Sequence, residues 1–261
     1  MAQASIQRMT TQTLTTALAQ AWVAHRTLSA AAWQIADEAE AYGVHDGLVA
    51  ALAWQPGGRP HYWKSGGGSR AARLTHAPLA PAGVRHGARL DFSDLHLRAP
   101  GVEAEIALRL RADVTPTMVA ALTPPSAAAL IDALAVSVEL VSSRWQEGVA
   151  APALLRLADC QSHGALALGD WQALDVGHDW SAQACSLTIN DSAPLQGLGC
   201  HPLGDPLWGL TAWLQHVTRD GASLPAGSVV TTGAWLVNLS LQAGDRATIR
   251  FAGLGEVSVQ L

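Results

Sequence analysis

Apolar residues recur at helical spacing early in the chain and give way to short alternating runs later. Leu14, Leu18 and Trp22 form one helical series, Ile35, Ala39 and Tyr42 a second, and Leu48, Leu52 and Trp54 a third. Residues 11–54 are therefore predicted to be helical, with Gly43 and Pro56-Gly57-Gly58 as punctuation and His45-Asp46 capping a helix start. From about His61 the texture changes to short strands separated by Gly, Pro and Asp. The clearest covers residues 102–111 and ends at Asp113 and Pro116. A helix is predicted over 126–135, with Pro124-Pro125 in front and Ser126 as its N-cap, running into a strand at 136–141. Another helix, bearing tryptophans, is predicted over 207–218. Residues 229–232, 247–251 and 257–261 read as strands around turns at Gly244-Asp245 and 253–255. The pattern divides the chain into a helical N-terminal portion, residues 1–60, and a larger strand-rich body, residues 61–261: an α+β protein.

Composition narrows the function. With 261 residues, 49% of them hydrophobic and 14% charged, the chain can bury a sizeable core. A net charge of -5 without a basic cluster argues against a nucleic-acid partner. No apolar run approaches the roughly 18 residues of a membrane span, and the Gln- and Thr-rich start lacks an apolar signal core, so a cytoplasmic setting is expected. Cys160, Cys185 and Cys200 show neither C-x-x-C nor zinc spacing and read as free thiols. Aromatic weight falls on ten tryptophans against two Phe and two Tyr, with Trp22, Trp33, Trp208 and Trp213 read as packing. Lys64 is the single lysine beside fifteen arginines, which reflects either a biased composition or a lysine kept for its chemistry.

Side chains two apart on a strand share a face, so Glu103 and Glu105 project side by side while Ala104 and Ile106 point into apolar surroundings. Glu139 sits among Val136, Val138, Leu140 and Val141, where a carboxylate is costly to bury without a partner. Three such groups suit a hard divalent ion, Mg²⁺ or Mn²⁺. Glu-x-Glu is equally common on a solvated strand face, and spacing leaves both readings open.

Gly101-Val102-Glu103-Ala104-Glu105-Ile106-Ala107, followed by Val138-Glu139-Leu140-Val141-Ser142-Ser143-Arg144-Trp145, resembles the fumarylacetoacetate hydrolase superfamily. The likeness is to its 2-keto-4-pentenoate hydratase and 4-oxalocrotonate decarboxylase branch, with the patterns G-x-E-A-E-I-A and A-I-E-I-V-D-S-R. His61-Tyr62-Trp63-Lys64, the stretch from Ala158-Asp159 to Leu168-Gly169, and the C-terminal Gly253-Leu254-Gly255-Glu256 are similar to further segments of that branch. The resemblance implies a mixed β-roll, Mg²⁺ or Mn²⁺ held by Glu103, Glu105 and Glu139, and a small 2-oxo acid as substrate. It also implies that Lys64 stabilises the developing enolate and that Asp159 orients Lys64 or a water. The implied activities are hydration, then decarboxylation, then acylpyruvate-type hydrolysis, in the catabolism of aromatic compounds. A homo-oligomer is implied, with a partner enzyme of the same pathway or a non-catalytic subunit role as the remaining alternative. Departures fall at Ser142, Cys160, His163 and Ala165, which replace the branch's Asp, Asn, Ser and Gly. No H-x-x-E occurs, and only Asp91 and Asp94 are acidic between Lys64 and Glu103, so the acid/base of water addition is open. Ser162 is a candidate donor to a substrate carboxylate, His163 a candidate pocket residue, and Trp235 either a substrate contact or a core indole. Arg144 is read as half of a structural ion pair.

Overall fold

Two helices, Thr11–Val23 and Glu38–Ala51, carry the N-terminal portion of the computed structural model, which describes residues 11–55 and 58–261. Asp37 starts the second helix by accepting a hydrogen bond from the Glu40 N–H. His45-Asp46 therefore lies inside that helix, not at its start, and Gly43 does not interrupt it. A glycine costs about 1 kcal/mol in a helix, and the burial of Ala41, Val44 and Leu48 against Leu14 and Leu18 outweighs this. The Pro56-Gly57 punctuation lies outside the described residues.

Among the described residues, nine strands form one mixed sheet and five form a second. In the larger sheet Gly101–Leu110 lies at the centre, flanked by Val229–Thr231 and by Ile131–Val141, with His163–Leu168 beyond. Gly101–Leu110 and Ile131–Val141 pair antiparallel along nearly their whole length. One face of this pair carries Val102, Ala104, Ile106, Val136, Val138 and Leu140, which pack with Ile249, Phe251, Val257 and Val259 of the second sheet. Burying each of these side chains other than Ala104 contributes about 1.5–3 kcal/mol. The alternation that builds this core leaves Glu103, Glu105, Ser137 and Glu139 on the opposite face.

The expected helix over 126–135 is only Pro124–Ala128, and Thr123, not Ser126, is its N-cap. Thr123 and Ser126 close a reciprocal capping box, so Ser126 serves as its third residue. The Ala- and Leu-rich residues after it are strand, because Ile131–Val141 finds a complete partner in Gly101–Leu110. The Trp-bearing helix spans Leu210–Val217; Trp213 is buried, while Trp208, expected to pack, precedes the helix and is exposed beneath Arg70. All three cysteines are free. No helix among the described residues is long and apolar enough to cross a membrane.

Candidate metal centre and active site

Pairing in the central sheet sets Glu103 directly opposite Glu139, and Glu105 two pairs further along opposite Ser137. The carboxylates of Glu103, Glu105 and Glu139 thereby converge, with ligand oxygens within 4.8 Å of one another. Glu105 and Glu139 are buried. Lys64, on the strand Tyr62–Gly66, donates to Glu139 Oε1 at 2.7 Å and to the Gln161 carbonyl at 3.2 Å. Thr231 and the Gly233 N–H donate to Glu105 Oε2, the latter at 3.0 Å. Gly233 holds φ +109, a conformation open to glycine, and this turn aims its N–H at the carboxylate.

Electrostatics follow from this crowding. Burial, then the charges of Glu139 and Glu103, push the Glu105 carboxyl up to about 8. Glu103 is likewise raised by burial. Burial would raise Glu139 too, but the Lys64 ammonium and His163 overcome it and hold that carboxyl low. Burial works against the Lys64 charge, and Glu139 and Glu103 more than restore it, so Lys64 stays an ammonium. All three carboxylates ionised beside one ammonium would carry two negative charges in excess, and the raised Glu105 and Glu103 carboxyls reflect that repulsion. Glu139 Oε2 is buried without a hydrogen-bond partner among the described residues. An all-oxygen set, carboxyls held protonated by mutual repulsion and burial, and a free buried oxygen together fit a divalent cation, which would let all three ionise.

The cluster opens into a cavity of about 450 Å³. Lys64, Gly66, Gly67, Gly68, Glu103, Glu105, Gln161 and Ser162 line it, with Val141, Val149 and Leu239 as apolar wall. Cys160, Gln161 and Ser162 all have positive φ, at 49°, 53° and 60°. Three such residues in sequence cost on the order of 1–3 kcal/mol each. The turn is held by Ser142 N–H on the Ser162 carbonyl at 2.7 Å and Ser162 N–H on the Asp159 carbonyl at 2.9 Å. It delivers the Gln161 carbonyl to Lys64 and the Ser162 side chain to the cavity.

Three expected placements are corrected. Asp159 is not Lys64's partner: fully buried, it accepts from Arg144 Nε at 2.5 Å and from the Arg144 N–H at 2.9 Å. Arg144 and Asp159 meet because the chain doubles back between them, and the ion pair consumes the carboxylate. Trp235 faces the core, packed edge-on to Phe251 at 5.3 Å between ring centroids, while its neighbours Gly233 and Ala234 line the cavity. His163 lies behind Glu139 rather than on the cavity wall, with Nδ1 3.3 Å from Oε1. Arg144 also donates to the His163 carbonyl, so Asp159, Arg144, His163 and Glu139 form one buried chain. Burial pushes the Cys160 thiol up, which removes it as a nucleophile. Asp94 pairs with Arg85 and Asp91 caps Ser93.

Sequence reasoning missed the Gln161 carbonyl, the Thr231 hydroxyl and Arg156, which also lines the cavity. Arg156 carried one faint signal, a lone cation within the apolar run Ala153-Leu154-Leu155-Arg156-Leu157-Ala158.

Residues 71–261 match the family model described as fumarylacetoacetate (FAA) hydrolase C-terminal. The chain is similar to 2-keto-4-pentenoate hydratase 2 of Dechloromonas aromatica (strain RCB), 34% identical over 61% of this chain and 59% of that protein. It is similar to a 4-oxalocrotonate decarboxylase of Pseudomonas sp, 27% identical over 67% of this chain and 65% of that one. The chain thus spans less than two thirds of these curated relatives' length. In structure it resembles 4-oxalocrotonate decarboxylase from Pseudomonas putida G7, complexed with magnesium and adipate, at TM-score 0.79 and 22% identity over 96% of both chains. At that identity the likeness carries the fold, which is the α+β architecture expected from the sequence.

Proposed function

The chain belongs to the fumarylacetoacetate hydrolase family, and from that premise we propose that it is a divalent-metal-dependent lyase of small 2-oxo or 2-hydroxydienoic acids, akin to a 2-keto-4-pentenoate hydratase. The observation that carries this reading is the convergence of Glu103, Glu105 and Glu139 with Lys64, where Lys64, Glu103 and Glu105 line one cavity and Glu139 lies buried behind them. Glu103, Glu105 and Glu139 would hold Mg²⁺ or Mn²⁺. When bound, such an ion supplies Lewis acidity toward a 2-oxo group.

The chain's own residues supply the rest. Lys64 enters charged and fixed by Glu139 and Gln161, so it meets negative charge developing on the substrate without having to reorganise. The Gly66–Gly68 loop carries no side chains to block a substrate, and Ser162 offers a donor to its carboxylate. Asp159 acts at one remove, as a positioning residue: it holds Arg144, and Arg144 holds the backbone of His163, whose ring braces Glu139. A cytoplasmic homo-oligomer, with residues 61–261 as the catalytic body and 1–60 as its helical accessory, belongs to the same proposal.

Decarboxylation is the second reading. No imidazole lines the cavity among the described residues, and loss of CO₂ needs no base to activate water. The test is a screen of 2-hydroxydienoates, 2-oxo-enedioates and acylpyruvates with Mg²⁺ and with Mn²⁺, products read by NMR. Hydration or decarboxylation of a member of the first two classes is expected. Inertness toward all three classes in a protein that binds the metal refutes the lyase reading.

A further inference from the structure

Arg156, on the short helix Ala153–Ala158, lines the same cavity as the carboxylate cluster. Its Nε is buried and has no hydrogen-bond partner among the described residues. It takes part in none of the ion pairs found there. The contrast with other arginines is informative: Arg109 is paired with Asp132, Arg144 with Asp159 and Arg219 with Asp46. The acid nearest Arg156 in sequence, Asp159, is consumed by Arg144. The cavity's other cation, Lys64, is engaged by Glu139. A partly desolvated guanidinium without an anion is costly, and an anion arriving in the cavity would offset that cost.

We infer that Arg156 receives a second carboxylate, on the substrate's tail, so that the substrate class is the 2-oxo or 2-hydroxydienoic dicarboxylic acids. The inference rests on the lyase reading, in which the carboxylate beside the 2-oxo group is held at the Glu103–Glu105–Glu139 end. The planar fork of Arg156 matches a carboxylate in two-point fashion, and Val141, Val149 and Leu239 offer an apolar wall to the carbon chain. A held tail carboxylate is also a retained one. Expelling it as CO₂ would break its C–C bond, leave the electron pair on carbon and turn an anion into a neutral molecule. A cation gripping that anion opposes this change, so the assignment favours hydration over loss of the tail carboxylate.

The test is calorimetric titration of the Mg²⁺-loaded protein with unreactive saturated 2-oxo acids: 2-oxopentanoate against 2-oxohexanedioate and 2-oxoheptanedioate. The better dicarboxylate should bind about 10- to 100-fold more tightly than the monocarboxylate, the worth of a charge-assisted hydrogen-bond pair. Arg156→Met should erase that advantage, and Arg156→Lys should keep part of it, since it retains the charge without the fork. Equal affinities in the wild type, or an undiminished advantage in Arg156→Met, would overturn the assignment while leaving the lyase reading intact. If Mg²⁺ binds but none of the three acids does, the lyase reading fails and takes this inference with it. With a 2-hydroxydienedioate, NMR should find both carboxylates in the product; release of one as CO₂ would overturn the retention.

Discussion

At the scale of single residues, Lys64 and Asp159 have opposite jobs although both were readable as active-site positions. Lys64 touches the cavity, so Lys64→Met should lose roughly 2–4 kcal/mol of transition-state stabilisation, the worth of one preorganised donor. Mg²⁺ affinity should hold or rise, because removing the ammonium leaves the carboxylates more negative. Lys64→Arg should not rescue turnover, since a planar fork cannot occupy the place of a compact ammonium. Measuring kcat/KM beside calorimetric Mg²⁺ binding separates these effects. Asp159→Asn should act instead on folding, because it strands the buried Arg144. Breaking a buried pair costs about 3–5 kcal/mol, and a urea midpoint shift of that scale is expected; an unchanged midpoint with collapsed kcat would make Asp159 catalytic. The glutamate trio was legible only through the resemblance of its two segments to the family's patterns, since the period of two that puts Glu103 and Glu105 on one face fits a solvated strand equally well. The partner of Asp159 was not, since the left-handed turn at Cys160–Ser162 decides which groups meet, and nothing in the residue types announces three consecutive positive φ values.

At the scale of elements, the site is a by-product of strand pairing. The register that packs Val102, Ala104 and Ile106 into the core also sets Glu103 opposite Glu139. Strand Gly101–Leu110 was readable in advance because its alternation is regular. The first half of Ile131–Val141 read as helix because Ile131-Asp132-Ala133-Leu134-Ala135 has good helix formers, and long-range pairing overrode that preference. The turn after Val229–Thr231 is the most sensitive joint. In Gly233→Ala a side chain would be forced to φ +109, beside Gly66, and the N–H that anchors Glu105 would shift. A stability loss of about 1 kcal/mol or more is expected, together with weaker Mg²⁺ binding. Thermal melts and metal titration check both; unchanged metal affinity would show that Glu105 needs no backbone anchor.

At the scale of the whole molecule, the helices are tied to the sheet body through a histidine cluster. His45 on helix Glu38–Ala51, His76 on strand Thr75–Pro78 and His216 on helix Leu210–Val217 gather around Tyr42, with Arg219 and Asp46 paired beside them. Burial lowers His45 and His76 to about 4, with Arg219 adding to the effect. These folded values lie below the ordinary 6.5, so between pH 6.5 and about 4 the unfolded chain binds protons that the native state refuses. Stability is therefore complete above pH 6.5 and falls as pH drops through that window, by up to about 1.4 kcal/mol per pH unit for each imidazole. Glu105, raised to about 8, works in the opposite sense over this range, so the cluster is read as a difference: from pH 7.5 to 6 to 5 the urea midpoint of His76→Asn should gain on that of the wild type, and a constant difference would mean that His76 takes up its proton without unfolding. The chemistry itself stands on the metal centre, and one measurement reaches it most directly: an anomalous-difference map from crystals grown with Mn²⁺. One strong peak is expected about 2.0–2.6 Å from an oxygen of each of Glu103, Glu105 and Glu139, and a Mn²⁺ peak elsewhere with none beside these three carboxylates would contradict it.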